Sequence, residues 1–337
     1  MDFKQVLAEK KPIIWQEVQK YLLKDGPFGF SDIVNEYPKR QGKYGRGTLV
    51  LLACEAFGGD ARKAVRTAAA MQMSEDWILS HDDWMDSSEE RRGKPTLHKM
   101  YGDQFAVNAG DALHMRMWRI LVDNRDILDE KTTFRVMKEF LRFLEITASG
   151  QHLELSLMFK KPLEELDYKD YEDVVYGKTC EYTIAGPLRL GAIIAGKGDD
   201  VLNKLSEVGI LLGRGFQIRD DLLNVVGDSK SYGKEIGGDI AEGKRTLMLI
   251  HLIKNTKGEE RKKVLEIMKK ERNKRGPDDI KYIIELMKKR GSIEFGEKKA
   301  EEYAKEAKQK FNNYFSNVLN KEVFEAAIDF FAMKREV

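Results

Sequence analysis

Residues 61–85 read ARKAVRTAAAMQMSEDWILSHDDWM, and this stretch decides the fold. It is rich in alanine and free of proline, so from Asp60 through Met85 it reads as one long, largely buried helix. Arg91-Arg92-Gly93-Lys94-Pro95 stops it. On its N-terminal side, TLVLLACEAFG at 48–58 is an apolar run ended by Gly58-Gly59, a C-cap signal. Downstream, helical periodicity recurs at roughly 103–122, 131–156, 170–195, 199–225 and 244–254. From 258 onward the chain is Lys/Glu-rich and amphipathic, with breaks at Arg275-Gly276-Pro277 and Arg290-Gly291. Strict alternation over a strand length is absent. The 337 residues hold only 7 prolines, and the windows 96–161 and 188–276 hold none. That scarcity favours long unbroken helices. With no low-complexity linker and no fixed-period repeat, residues 1–337 read as a single all-α domain.

Charge excludes some classes. Lys+Arg total 58 against Asp+Glu 56, a formal net charge of +2, so no global excess points to nucleic acid or an anionic membrane. Charged residues make up 34% of the chain, which fits either ion-pair networks of a heat-adapted protein or many solvated helix faces. Cys54 and Cys180 make neither a disulfide framework nor a zinc knuckle. The N-terminus interleaves charged with apolar residues, and no run of 18 apolar residues occurs, so a soluble, cytoplasmic protein is expected.

Two acidic motifs carry the chemistry. In His81-Asp82-Asp83-Trp84-Met85-Asp86, helical spacing stacks Asp82 and Asp86 on one face, one turn apart. Stacked carboxylates repel unless a cation lies between them. A lone motif of this kind in so charged a chain reads first as a solvated helix end, but here it terminates an apolar helix whose preceding turn is Trp77-Ile78-Leu79. The second set lies in Gly215-Phe216-Gln217-Ile218-Arg219-Asp220-Asp221-Leu222-Leu223-Asn224, again an Asp pair with an oxygen ligand nearby on an apolar helix. Two such sets argue for a shared site. Carboxylates without His or Cys suit Mg²⁺ or Mn²⁺ bridged by a phosphorylated ligand. A di-iron bundle would want Glu-x-x-His pairs, which neither motif offers. Cations follow each set: Arg91-Arg92-Gly93-Lys94, then Gly233-Lys234-Glu235 and Glu242-Gly243-Lys244-Arg245. Together, metal ligands, cations and apolar helices imply a diphosphate with a greasy organic part.

These motifs resemble those of the trans-polyprenyl diphosphate synthase family, the head-to-tail prenyltransferases. DDWMDSSEERRG (82–93) matches the family's first aspartate-rich motif, and GFQIRDDLLNVVGD (215–228) followed by GKEIGGDIAEGKRT (233–246) matches the second. Between them stand Thr96-x-His98, Tyr101-Gly102, Gly110-Asp111, Gly150-Gln151-x-x-Glu154 and Lys178-Thr179. The resemblance spans about 40–250 and implies an isoprenoid synthase fold, a bundle of long helices around a deep central cavity, in a homodimer. It implies that Asp82, Asp86 and Asp220 bind three Mg²⁺ gripping the allylic diphosphate, that Arg91, Lys178 and Lys234 contact the same group, and that Lys244 lies close by. Lys43, Arg46 and Arg92 would hold isopentenyl diphosphate, and Thr179 with Gln217 would line the reacting centre. The implied function is Mg²⁺-dependent condensation of isopentenyl diphosphate with an allylic diphosphate.

Product length is argued from spacing. Trp77 lies five residues before Asp82, about 7.5 Å of helix rise, so it would cap a prenyl tail running back along the helix. The pattern of Trp77 followed by Ile78 resembles archaeal-type geranylgeranyl synthases and points to a C20 product, with C15 next and C25 third. Ordinary interhelical packing of Trp77 is the alternative. Three positions depart from the family pattern. Gly47 replaces a proline, Asn224 replaces a third aspartate, and Glu75 stands where a neutral or weakly basic side chain helps hold isopentenyl diphosphate. A carboxylate at 75 repels a diphosphate unless it is paired, with Lys43 or Arg46, or protonated. Two other functions share some of these features: a terpene cyclase, and a non-catalytic regulatory subunit of a prenyl synthase.

Overall fold

The computed structural model describes residues 3–227 and 236–332. Helices α1 (Phe3–Gln19), α2 (Phe30–Arg40), α3 (Gly45–Ala56) and α4 (Ala61–Met85) lead into a hairpin of two-residue strands, β1 (Glu90–Arg91) and β2 (Lys94–Pro95). There follow α5 (Leu97–Tyr101), α6 (Asp103–Asp123), α7 (Glu130–Phe159), α8 (Tyr168–Val175), α9 (Gly186–Ile194) and α10 (Asp199–Val226). The rest is α11 (Gly238–Glu242), α12 (Leu247–Asn255), α13 (Gly258–Lys269), α14 (Pro277–Lys289), α15 (Ser292–Tyr314) and α16 (Lys321–Ala332). The fold is all-α, as the proline scarcity and periodicity predict.

The chain divides into two compact units. One comprises residues 1–143, 183–209 and 310–327, the other 144–182, 210–309 and 328–337. In the first, α4 is the spine. Asp60 caps it, its carboxylate accepting from the Arg62 amide at 3.0 Å, and its small-residue face of Ala64, Ala68, Ala69 and Ala70 is fully buried. Gly47 on α3 explains its own departure from the expected proline. A Cβ there would come within 3.1 Å of the Ala68 carbonyl and 3.0 Å of Ile14, so glycine lets α3 lie close against α4. The second unit buries Leu222, Met248, Leu252, Ile283 and Met287 around α12. Each such side chain contributes roughly 1.5–3 kcal/mol by leaving water.

Two stretches differ from the helical expectation. The segment 170–195 is not one α-helix: α8 passes into a π-helical stretch, Tyr176–Ala185, before α9 restarts at Gly186-Pro187. A proline one residue into α9 donates no N–H, which permits this change of winding ahead of it. Similarly, 244–246 stay outside α12, because Gly243 adopts a left-handed φ of 86° and Thr246 caps the helix, its hydroxyl accepting from the Leu249 amide at 3.3 Å. No helix among the described residues is long and apolar enough to cross a membrane.

Candidate active site

In the first unit, α4 ends in the acidic set. Asp86 is the C-cap residue and its amide donates to the Asp82 carbonyl at 2.9 Å, so the two carboxylates leave successive turns. Asp83 is turned elsewhere and fully buried. Its Oδ2 accepts the Tyr37 hydroxyl at 2.6 Å, and the Arg91 guanidinium forks onto both oxygens, Nε at 3.0 Å from each. This pairing holds Arg91 well above the usual arginine range and burial raises the Tyr37 phenol. The hairpin aims the two arginines at different turns of α4: its Arg92-Gly93 turn has φ of 53° and 72°, and Arg91 reaches Asp83 near the helix end while Arg92 reaches back to Asp76.

There Arg92 donates to buried Asp76 at 2.8 Å and to Glu75 at 3.4 Å, and Arg46 forms an ion pair with Glu75 at 3.1 Å. Arg46 also donates to Thr183 at 3.0 Å. Glu75 is therefore paired, with Arg46 as one of the two partners expected and with Arg92 besides. It is not kept protonated: burial opposes ionisation, but the Arg46 and Arg92 charges win and lower its pKa. Asp76, more desolvated and beside Glu75, is pushed up to about 6. Lys43 lies exposed on the adjoining loop.

One turn before the first acidic set, half-buried Trp77 stacks on His114 of α6, ring centroids 3.8 Å apart and 11° from parallel. Trp118 Nε1 donates to His114 Nε2 at 2.9 Å, which requires that nitrogen to be unprotonated, and burial lowers the His114 pKa accordingly. The indole is thus clamped rather than loosely packed, with half-buried Ile78 beside it in sequence.

In the second unit, Lys178 and Thr179 lie on the π-helical stretch. Lys178 pairs with Glu154 of α7. The Thr179 hydroxyl donates to Gln217 Oε1 at 2.7 Å, the Gln217 amide donates to Asp221 Oδ1 at 2.7 Å, and the Tyr171 hydroxyl donates to Asp221 Oδ2 at 2.8 Å. Burial, with the charge of Asp239, lifts the Asp221 carboxyl well above the ordinary range. Asp220, one residue earlier, is half-buried. Asn224 serves the fold, since its side-chain oxygen accepts from the Asp239 amide at 3.1 Å and so caps the segment carrying Asp239 and Lys244. Lys244 pairs with Glu242 at 2.6 Å, and Glu242 with Arg272 at 2.9 Å.

Lys43, Arg46, Glu75, Trp77, Ile78, Asp82, Asp86, Arg91 and Arg92 thus belong to the first unit, and Lys178, Thr179, Gln217, Asp220 and Lys244 to the second. Lys234 lies outside the described residues. Sequence reading missed Asp76, Tyr37 and Tyr171, whose partners lie 16, 46 and 50 residues away. No local pattern announces them. Each acidic set offers carboxylate oxygens, the donors of a hard cation such as Mg²⁺. Among the described residues no three His, Cys, Asp or Glu side chains converge to hold a metal.

The sequence profile of the polyprenyl synthetase family matches residues 29–287. A geranylgeranyl diphosphate synthase of Saccharolobus solfataricus is 33% identical over 78% of this chain and 77% of its own, and a geranylfarnesyl diphosphate synthase of Aeropyrum pernix is 32% identical over 80% and 83%. Among solved structures, the geranylgeranyl pyrophosphate synthetase of Pyrococcus horikoshii superposes with a TM-score of 0.85 at 27% identity, covering 98% of this chain and 99% of that one. The chain belongs to the polyprenyl synthetase family.

Proposed function

We propose that this protein is a short-chain trans-isoprenyl diphosphate synthase that condenses isopentenyl diphosphate, head to tail, with an allylic diphosphate, giving geranylgeranyl diphosphate (C20) as its main product. The observation that carries this reading is the pair of carboxylate sets on long apolar helices, each with cationic side chains in the same unit. Asp82, Asp86 and Asp220 supply the oxygens for Mg²⁺, three ions by family resemblance, with Mn²⁺ an acceptable substitute. Bound Mg²⁺ supplies neutralisation of the diphosphate charge that develops as the allylic C–O bond breaks.

The chain's own residues do the rest. Arg91, Lys178, Lys234 and Lys244 add positive charge at the departing diphosphate. Lys43, Arg46 and Arg92 orient isopentenyl diphosphate, whose double bond supplies the electron pair for the new C–C bond, after which a proton passes to the released diphosphate. The Thr179 hydroxyl, locked by Gln217 which is itself locked by Asp221, presents oxygen lone pairs at the allylic cation. Apolar helix faces keep water from quenching it. Trp77, fixed between α4 and α6 by its stack on His114, forms the floor that stops elongation.

Further parts of the reading concern assembly and place. The full chain acts as one synthase domain and pairs as a homodimer in the cytoplasm. Exposed Phe105, Met115 and Val122 on α6, with Phe134 and Leu141 on α7, supply apolar surface for that pairing. The direct test is to incubate the purified protein with Mg²⁺, isopentenyl diphosphate and, separately, dimethylallyl, geranyl and farnesyl diphosphate, then to size the products. Elongation to C20 from all three is expected. No elongation except with an added synthase partner would mark a regulatory subunit, and cyclised hydrocarbon from the allylic substrate alone would mark a terpene cyclase.

A further inference from the structure

Arg46 and Arg92, assigned above to isopentenyl diphosphate, are not presented as two uncompensated cations. Arg46 pairs with Glu75 at 3.1 Å and Arg92 divides its fork between Glu75 at 3.4 Å and Asp76 at 2.8 Å, so two guanidiniums are matched by two carboxylates. The pairs are mostly sheltered, with about 13% of the Glu75 side chain and 13% of the Arg92 side chain exposed. Shielding from water makes their attraction strong enough to matter. The cluster adjoins the loop of Lys43: a Cβ on Gly42 would lie 2.9 Å from Arg92 Nη2 and 3.3 Å from Glu75 Oε1. The glycine thus lies close over the ion pair, which places the pair beside the third cation of the same subsite. Tyr44, buried at the start of α3, and Lys11 of α1 complete its surroundings, Lys11 being close enough to Arg92 for the two charges to interact.

From this geometry we infer that Glu75 is a specificity-determining residue that competes with isopentenyl diphosphate for Arg46 and Arg92, lowering the affinity of that substrate alone. The inference rests on the assignment of those arginines proposed above. A diphosphate entering the subsite must take over guanidinium donors that a carboxylate already holds, and it does so beside a negative charge that stays ionised. Arg91, assigned with Asp82 and Asp86 to the allylic diphosphate, is held by Asp83 and not by Glu75, so that substrate does not compete with Glu75 for a donor. Glu75 therefore acts on one substrate and not on the other, and keeps the two arginines apart and oriented while the subsite is empty.

Calorimetric titration with isopentenyl diphosphate, and steady-state kinetics with farnesyl diphosphate as primer, test this on the full-length protein. Glu75→Gln preserves size and removes charge; it should bind isopentenyl diphosphate about tenfold more tightly and lower its KM by a similar factor, with the KM for the primer and kcat within about twofold. Glu75→Asp, which keeps the charge but draws it back from Arg46, should show a smaller gain of about threefold and guards against misfolding of the first variant. Unchanged or weaker binding of isopentenyl diphosphate in the folded variants would overturn the inference, as would an equal change in both KM values. The calorimetric arm separates the two readings: if the wild type elongates no primer, the proposed activity falls, while the binding comparison still decides the role of Glu75.

Discussion

The two acidic sets are built alike up to one position and then diverge. In each, the second aspartate is buried and accepts a tyrosine hydroxyl: Asp83 from Tyr37 at 2.6 Å, Asp221 from Tyr171 at 2.8 Å. The other partner differs. Asp83 takes the guanidinium of Arg91, whereas Asp221 takes the amide of Gln217, whose oxygen in turn holds Thr179. The first set is fixed by ion pairs and the second by a chain of neutral donors. Ion pairs anchor cations where charge must be balanced, while a hydrogen-bonded chain sets the orientation of an uncharged amide and hydroxyl. In both sets the second aspartate supports the structure, and the proposed function assigns the first to metal.

The largest effect should come from removing that first aspartate. Asp82→Ala should lower turnover at least a thousandfold, the several kcal/mol carried by metal-held charge; activity near wild type in a product-formation assay would refute the assigned ligand. Next in size is a pH effect at the ion-pair cluster of the first unit. Asp76 has a folded pKa of about 6, above its unfolded value of 3.8. Its contribution to stability is therefore fully present below about pH 4 and lost as pH rises through about 6. In urea unfolding of the metal-free protein, the stability of the wild type minus that of Asp76→Asn should fall by about 3 kcal/mol between roughly pH 4 and 8. A constant difference would mean that Asp76 keeps an ordinary carboxyl in the fold.

The matched tyrosines sharpen the contrast further. Tyr37→Phe and Tyr171→Phe should each cost about 1–2 kcal/mol of stability, as a buried hydrogen bond does. Only Tyr171→Phe should also reduce kcat, by about tenfold, because Asp221 is then less firmly placed to orient Gln217, whereas Arg91 still grips Asp83. Equal losses of kcat would erase the proposed difference. The smallest effect on rate should come from Trp77→Ala, which should shift the product distribution beyond C20 with little change in initial rate; an unaltered distribution on chromatography would show that Trp77 is not the floor.

Much of this was legible in sequence because helical spacing is local. The run 61–85 fixed α4, and Asp82 with Asp86 followed from 3.6 residues per turn. The charge conflict at Glu75 was visible too, along with Arg46 as a partner. What escaped were contacts made across sequence distance or against local rules. Arg92 reaches Asp76 only because a two-residue hairpin, too short to show any alternation, turns it back toward α4. The π-helical winding around Lys178 and Thr179 carries no periodic signature that separates it from an α-helix over ten residues. Tyr37 and Tyr171 look like core aromatics until their hydroxyls are followed to a carboxylate.

The central claim is that both acidic sets serve a single reaction, and the kcat for geranylgeranyl diphosphate formation in Asp82→Asn, Asp220→Asn and the double variant tests it most directly. If the sets act as one unit, the double variant should fall no more than about threefold below the worse single variant. Losses that multiply, as for independent sites, would contradict the account.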